Sequence, residues 1–126
     1  MARLAPEVLG LAEAGYALED FATAEGNLWR ANLSGANLHN AFLYDAGLQG
    51  ANLSGANLRG ANLRRIFLWS AKKGGGFESA DLRMADLSGA DLTGIELAGV
   101  WFNAGTKWPD GFDPEAAGAM LVEDDD

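Results

Sequence analysis

The sequence predicts an all-β solenoid, because leucine recurs at every fifth position and glycine often ends the five-residue unit. The first block, residues 26–70, reads GNLWR, ANLSG, ANLHN, AFLYD, AGLQG, ANLSG, ANLRG, ANLRR and IFLWS. The second block, residues 75–104, reads GGFES, ADLRM, ADLSG, ADLTG, IELAG and VWFNA. A period of five fits neither the 3.6 residues of a helical turn nor the two of a long strand. The chain must therefore turn within every unit.

Each unit combines a short extended side with a corner. In an extended triplet the central leucine and the alanine two residues before it point the same way, while the Asn or Asp between them points outward. The next two positions are polar and then often glycine, which suits a tight turn. We therefore expect the fifteen central side chains, with Phe77 among them, to form the core.

These units resemble the pentapeptide-repeat family, whose motif is close to A(N/D)LxG, over residues 26–104. The resemblance implies a right-handed quadrilateral β-helix with four units per coil and ladders of leucine or phenylalanine inside. Fifteen units would make about four coils. At a strand spacing of about 4.8 Å the repeats would form a body roughly 18 Å tall.

Both ends of a solenoid expose unpaired backbone, so capping segments are expected. Residues 1–25 carry apolar residues at helical spacing and predict an amphipathic helix from Pro6 to about Ala14. Residues 105–126 form the second predicted cap, in which Asp113 would begin a short helix. This segment resembles the tails of bacterial pentapeptide-repeat chains. We expect Trp108 and Phe112 to plug the last coil, and the final acidic residues to be solvated.

The repeats lose their phase once, because Leu68 and Phe77 are nine residues apart rather than ten. Lysine and glycine tolerate protrusion, so we place a four-residue insertion at Ala71–Gly74, within a loop near residues 71–76. In family members that act on DNA topoisomerases such loops matter for activity, which makes Lys72 and Lys73 candidate functional residues. The alternative is a phase correction without a function.

Five aromatic side chains occupy outward positions: Trp29, Phe42, Tyr44, Phe67 and Trp69. With the four-unit coil that the resemblance implies, they meet around one corner. Exposed aromatic patches usually mark a surface that something covers. The covering element could be the N-terminal segment, a second copy in a homodimer, or another protein. These five residues are the candidate protein interface.

The net charge of −9 lies in the two ends of the chain. Residues 1–25 hold one basic residue against five acidic ones, and residues 105–126 hold one against seven, whereas residues 26–104 hold seven against six. The resemblance implies one candidate activity that is known in the family, which is DNA mimicry that modulates DNA gyrase or another topoisomerase. A near-neutral solenoid roughly 18 Å tall, beside the ~34 Å repeat of DNA, fits that activity poorly. A non-enzymatic protein-interaction or scaffold module is therefore preferred, with the gyrase modulator as the alternative.

Enzymatic, cofactor and metal chemistry find little support. The chain has no cysteine, and its single histidine, His39, lies at an outward repeat position. We expect no enzyme activity, no cofactor, and neither nucleic acid nor a membrane as partner. Without a signal-like segment or a run of eighteen apolar residues, a soluble cytoplasmic protein is expected.

Overall fold

The computed structural model describes residues 28–123, and in it the chain winds into coils of four repeat units. Asn32 pairs in parallel with Asn52, twenty residues further on. The Leu33 N–H donates to the Asn52 carbonyl at 2.8 Å, and the Asn52 N–H donates back to Ala31 at 2.9 Å. Twenty residues are four units, so each side of the coil stacks on the same side of the next coil. The predicted N-terminal helix lies outside the described residues.

Each corner is a tight turn closed by a backbone hydrogen bond. In the first unit the Ala31 N–H donates to the Leu28 carbonyl at 2.9 Å, and the third turn residue, Arg30, has a φ of 59°. This is the pattern of a type II turn, which requires a positive φ at that position. Glycine recurs there because it adopts this conformation without steric cost.

The interior consists of leucine columns that run through the coils, with alanine packed beside them. The largest side chains that are almost completely buried are all leucines, namely Leu33, Leu38, Leu43, Leu48, Leu53, Leu58, Leu63, Leu68, Leu82, Leu87 and Leu97. They come from the central position of the unit. The five-residue period therefore places its apolar residues inside, as the sequence predicts.

The insertion at the phase break is larger than predicted. Asn52 pairs with Asp81, 29 residues further on, so the third coil contains nine additional residues rather than four. The Ala80 N–H donates to the Leu68 carbonyl at 2.8 Å, which is the bond that closes the two-residue turn in the other units. The segment 69–79 thus replaces a two-residue turn, and the regular repeats resume at Ala80.

This insertion is a β-hairpin. Strand β1 (Trp69–Ala71) pairs antiparallel with strand β2 (Phe77–Ser79). Phe77 was predicted in the core, but it is 52% exposed and belongs to β2. The prediction was wrong because the hairpin uses the GGFES segment as a strand, although its phenylalanine matches the central position of a repeat.

Two aromatic side chains close the last coil. Strand β3 (Trp101–Phe102) pairs in parallel with strand β4 (Met120–Leu121). The Trp108 ring contacts the Phe102 ring edge-on at 5.6 Å and stacks on Phe112 at 5.2 Å. Both Trp108 and Phe112 pack against the core, in the position that the sequence predicted for them.

The helix predicted to begin at Asp113 does not form, and residues 114–118 make turns instead. The Asp113 carboxylate accepts hydrogen bonds from the amides of Glu115 and Ala116, both at 3.2 Å, as it would at a helix start. However, the carbonyls of Ala117 and Gly118 accept bonds from the fourth coil. Hydrogen bonds from the fourth coil therefore occupy carbonyls that would accept bonds within a helix.

The outward Asn and Asp residues hold the turn that follows them. Asp86 accepts hydrogen bonds from the Ser88 amide at 3.0 Å and the Ser88 hydroxyl at 2.7 Å. Asp91 accepts the corresponding bonds from Thr93, at 3.0 and 2.6 Å. The Ser88 hydroxyl and amide, with Arg59, lower the pKa of Asp86, and the Thr93 hydroxyl and amide lower the pKa of Asp91.

We predict that the protein loses stability in acid through these two carboxylates. Their pKa values in the folded protein lie below the ordinary value of 3.8, so their contribution is complete above that pH and disappears as the pH falls through the lowered values. The double variant Asp86→Asn/Asp91→Asn should keep the oxygen acceptors of the turns. Its melting temperature should depend much less on pH below about pH 4. The control is Asp110→Asn in the C-terminal turn. An equally steep acid decline in the double variant would contradict the assignment.

Candidate functional site

An open groove of about 390 Å³ lies on the outside of the third and fourth coils. Phe67 is 51% exposed there, beside the half-buried Trp69. The complete lining is Arg65, Ile66, Phe67, Trp69, Gly94 and Glu96. The groove therefore combines an aromatic surface with one residue of each charge. No other residue of the groove is aromatic.

The groove follows a seam between residues 65–69 and 94–96 where the solenoid wall is not hydrogen-bonded. In most other units the leucine N–H donates to the next coil, as Leu48 does to the Phe67 carbonyl at 2.6 Å. Along the seam the backbone N–H groups of Arg65, Leu68 and Glu96 have no acceptor among the described residues. The wall is open here because three consecutive inter-coil bonds are missing.

Hydrogen bonds bound the seam on both sides. Before it, the Leu63 N–H donates to the Asp91 carbonyl at 3.0 Å. Beyond it, the Ser79 hydroxyl of β2 donates to the Ala98 carbonyl at 2.8 Å. The opening is therefore local, and the coils on either side of it stay connected.

Two isoleucines explain why the wall opens at this place. Ile66 and Ile95 occupy the position that alanine holds in most units, and they follow each other in the same column of adjacent coils. In the neighbouring column Ala51 lies next to Ala80, and both are buried. Two branched side chains need more room than two alanines in a close-packed interior, so they separate the coils.

Two more of the predicted aromatic residues adjoin the groove through Arg65. The rings of Phe42 and Tyr44 stack with centroids 6.1 Å apart and planes 6° apart. The Arg65 guanidinium lies 5.5 Å from the Tyr44 ring centroid and forms an ion pair with Asp45 at 3.2 Å. Arg65 also lines the groove, so Phe42, Tyr44, Phe67 and Trp69 surround one corner of the solenoid. We call these four residues the aromatic corner.

The fifth predicted aromatic residue, Trp29, does not line the groove. The Arg30 guanidinium covers its ring at 4.4 Å and forms an ion pair with Glu78 of β2. The hydrogen bond from Arg30 lowers the pKa of Glu78, and the same bond raises the pKa of Arg30. Trp29 therefore belongs to the contact that holds the hairpin against the first coil.

The hairpin crosses the corner of the solenoid and is held at two places, by the ion pair of Glu78 with Arg30 and by the Ser79 hydroxyl bond to Ala98. Within the hairpin the Phe77 ring packs edge-on against Trp69 at 5.4 Å. Lys72 and Lys73, the predicted loop residues, are exposed at the tip. The tip extends from residue 72 to residue 76 and is closed by a bond from the Lys72 N–H to the Gly76 carbonyl at 3.0 Å.

The sequence reasoning missed a second exposed apolar surface, at the C-terminal end of the solenoid. Four large apolar side chains are exposed in this part of the chain, namely Met84, Trp101, Met120 and Leu121, and Trp101 pairs with Met120. The Arg83 guanidinium lies 5.1 Å from the Trp101 ring centroid. Trp101 occupies the outward Asn/Asp position of its unit, as Phe42 and Phe67 do. An aromatic residue at that position is the signal that identified Phe42 and Phe67, and it would also have identified Trp101.

Arginines neutralise much of the acidic charge on the described coils. Ion pairs join Arg59 to Asp86 at 3.4 Å and Arg83 to Asp81 at 2.7 Å, in addition to the pairs of Arg30 and Arg65. Glu96 in the groove has no ion-pair partner among residues 28–123. Within the same residues no three His, Asp or Glu side chains are grouped to hold a metal ion. Residues 28–123 contain no helix that could cross a membrane.

The coil of four five-residue units, with leucine inside and a turn at every corner, defines a β-helical repeat protein. The family model for pentapeptide repeats matches residues 27–65 and 77–103 in eight copies, so the chain belongs to the pentapeptide-repeat family. The members of this family form right-handed quadrilateral β-helices. The gap in the match contains most of the hairpin. No curated protein matches the chain.

Solved pentapeptide-repeat structures resemble the chain. One, from the thylakoid lumen of Arabidopsis thaliana, is 31% identical, with a TM-score of 0.40 over 66% of this chain and 44% of its own. HetL, involved in the regulation of heterocyst differentiation in Nostoc sp. strain PCC 7120, is 29% identical, with a TM-score of 0.49 over 75% and 48%. Another Nostoc protein is 29% identical, with a TM-score of 0.31 over 96% and 98%. The chain thus spans less than half of the first two.

Proposed function

We propose that this protein is a non-enzymatic protein-interaction module and that the aromatic corner, with its groove, is the surface that binds another protein. The observation that carries the proposal is the exposure of Phe67 beside Trp69 in an open groove. Pentapeptide-repeat proteins are generally structural or interaction modules rather than catalysts, which agrees with this role.

The composition of the aromatic corner suits protein recognition. Aromatic side chains and arginine are enriched among the residues that contribute most to protein–protein binding, especially where a pocket excludes water around them. Phe67 and Trp69 are two residues apart and both line the groove, so one partner segment can contact both rings. Arg65 is already oriented by Asp45 and Tyr44, so it is pre-organised.

The charge distribution does not favour the alternative, a DNA-mimicking modulator of gyrase. A DNA mimic needs a continuous acidic surface. On the coils, Asp45, Asp81 and Asp86 are each paired with an arginine, as is Glu78 on the hairpin. A supercoiling assay with gyrase and titrated protein tests this alternative directly, and we expect no inhibition at micromolar concentration.

Removing the exposed aromatic side chains should abolish binding and leave the fold intact. We predict that Phe67→Ser/Trp69→Ser reduces the amount of partner captured from native lysate at least about tenfold, because such anchors dominate interface energies. Quantitative mass spectrometry of the captured proteins measures the change, and light scattering shows whether the partner is a second copy. Thermal unfolding confirms that both forms are folded.

The matched control is Trp101→Ser, which removes an aromatic side chain that is 45% exposed on the other apolar surface. It should capture the same partner as the unmodified protein. If Trp101→Ser lost the partner and Phe67→Ser/Trp69→Ser kept it, the binding surface would be the C-terminal end of the solenoid, and the aromatic corner would have no part in it.

A further inference from the structure

We propose that the groove beside Phe67 and Trp69 binds an arginine side chain of the partner protein, with the Glu96 carboxylate as its counter-ion. This inference rests on the proposed function, because it names the group that the partner inserts into the groove. It uses the side chains of the groove and no backbone group of the solenoid wall.

The chain combines an aromatic ring, a carboxylate and an arginine at three other places. At each of them one guanidinium lies over the ring and also forms an ion pair with the acidic residue. The three sets are Arg30 with Trp29 and Glu78, Arg65 with Tyr44 and Asp45, and Arg83 with Trp101 and Asp81. The guanidinium lies 4.4, 5.5 and 5.1 Å from the ring centroid, in the same order, within the ~6 Å reach of a cation–π interaction. An aromatic ring beside a carboxylate on this surface therefore holds a guanidinium.

The groove has the aromatic rings and the carboxylate of such a set but lacks the arginine. Among residues 28–123, no arginine or lysine forms an ion pair with Glu96, and none lies over the ring of Phe67 or Trp69. Arg65 also lines the groove, but it belongs to one of the three complete sets. We therefore expect the missing cation to come from the partner.

The register of the coils places Glu96 beside Phe67. Asn62 pairs with Asp91, 29 residues further on, and the same offset leads from Phe67 to Glu96. Both residues hold the outward position of their units, both are exposed, and both line the groove. A guanidinium that stacks on the Phe67 ring would therefore have the Glu96 carboxylate next to it, on the adjacent coil.

The groove has room and a suitable charge for one cationic side chain. Its volume of about 390 Å³ lies near the lower end of the range of ligand pockets, about 300–1,000 Å³. Gly94 adds no side chain to the lining, and a Cβ there would have no atom within 4 Å. The charged residues at the groove are Arg65 with its partner Asp45, and Glu96. They leave one negative charge in excess, which attracts a cation.

Arginine fits this combination better than lysine. Its planar guanidinium can stack on a ring while its edge donates two hydrogen bonds to one carboxylate, and it is more weakly hydrated than an ammonium group. Lysine supplies the charge but not the planar contact. We therefore expect the groove to prefer arginine to lysine, and lysine to citrulline, the neutral analogue of arginine.

The test is an NMR titration of the full chain with acetylated and amidated pentapeptides that have arginine, lysine or citrulline between Gly-Ser and Ser-Gly. The indole N–H signal of Trp69, assigned by its absence from Trp69→Phe, reports occupation of the groove. We expect the arginine peptide to bind with a dissociation constant on the order of 10 mM. It should bind about five- to tenfold more tightly than the citrulline peptide at equal ionic strength. Equal binding of these two peptides, or no shift of the Trp69 signal up to about 50 mM arginine peptide, would overturn the proposal.

Two other tryptophans show whether binding is confined to the groove. Arg30 lies over Trp29 and Arg83 lies over Trp101, so both rings already carry a guanidinium of the chain. Their indole signals should not shift with the arginine peptide. Shifts of both signals as large as that of Trp69 would show stacking on any tryptophan rather than a site, and would overturn the proposal.

A neutral substitution tests Glu96 as the counter-ion. Glu96→Gln nearly keeps the shape of the side chain and removes its charge, so the preference for arginine over citrulline should fall to about twofold. The control Glu115→Gln removes an exposed charge outside the groove and should leave the preference unchanged. A full preference for arginine in Glu96→Gln would show that Glu96 does not hold the guanidinium, and that result also overturns the proposal.

The outcomes separate this inference from the proposed function. If the arginine peptide does not bind but Phe67→Ser/Trp69→Ser still loses its partner from lysate, the aromatic corner remains the interface and the arginine assignment is wrong. If the arginine peptide binds at Trp69 and depends on Glu96, but the aromatic variant still captures the partner, the groove binds arginine and the aromatic corner is not the principal interface. If both proposals hold, Glu96→Gln should reduce partner capture about fivefold.

Discussion

Replacing Leu53 with alanine is expected to lower the free energy of unfolding by about 2–5 kcal/mol. Leu53 is 1% exposed, and its column continues through Leu33 in the coil before and Leu82 in the coil after. The loss combines the transfer free energy of the removed atoms with the cost of the cavity that they leave. The upper part of the range applies where the surroundings cannot close around the cavity.

The backbone of the solenoid prevents such a collapse. The Leu53 N–H donates to the Asp81 carbonyl at 2.9 Å, and the Asn52 N–H donates to the Ala31 carbonyl at 2.9 Å. These bonds fix the spacing of the coils above and below the substituted residue. Moving the wall inward would break them, and each broken bond leaves a buried polar group without a partner.

Chemical denaturation followed by circular dichroism measures the Leu53 effect. The matched control is Leu121→Ala, because Leu121 pairs with Phe102 but is 48% exposed at the end of the solenoid. It should cost less than about 1 kcal/mol, since little apolar surface is newly exposed. Equal losses in the two variants would show that the leucine columns do not dominate stability.

The regular part of the fold could be predicted because every unit repeats the same local rule. Leu48 and Leu58 are buried for the same reason, and one period describes both. Phe77 shows where that rule stops: it has the right residue type nine residues after Leu68, yet it lies on the hairpin. A single central residue cannot distinguish a repeat unit from a strand that matches it by chance.

The open seam could not be predicted from the sequence in the same way. Ile66 and Ile95 meet only if the coil between them contains 29 residues, and that length depends on the nine-residue insertion. An insertion of four residues would have placed other residues beside Ile66. The exposure of Phe42 and Phe67, in contrast, follows from the alternation of inward and outward residues within one unit, so the sequence predicts it.

Deleting the hairpin should leave the solenoid folded and abolish partner binding. The change replaces residues 69–79 with Ser-Gly, the turn that follows Leu33 and Leu53. The ends are already in place, because the Ala80 N–H donates to the Leu68 carbonyl as in a two-residue turn. The register between the coils, the geometry of the corner and the leucine columns are therefore retained. Circular dichroism of the shortened protein should match that of the full chain.

The stability lost with the hairpin should be small. The ion pair of Arg30 and Glu78 is exposed on the arginine side, where solvent screens it, so it contributes little. The Ser79 bond to Ala98 adds about 1 kcal/mol. Binding, in contrast, should fall to background, because Trp69 leaves the groove and the partner loses one of its two aromatic contacts.

A variant of the hairpin tip distinguishes the two parts of the hairpin that could bind a partner, namely Trp69 in the groove and the lysines at the tip. Lys72→Ser/Lys73→Ser keeps β1 and β2 but removes the exposed charges, so it should retain binding if the groove is the contact. Loss of binding in this variant as well as in the deletion would assign recognition to the tip. If the deletion unfolded the protein, the hairpin would be the element that holds the third and fourth coils together across the seam, because the Ser79 bond is its link to the fourth coil there.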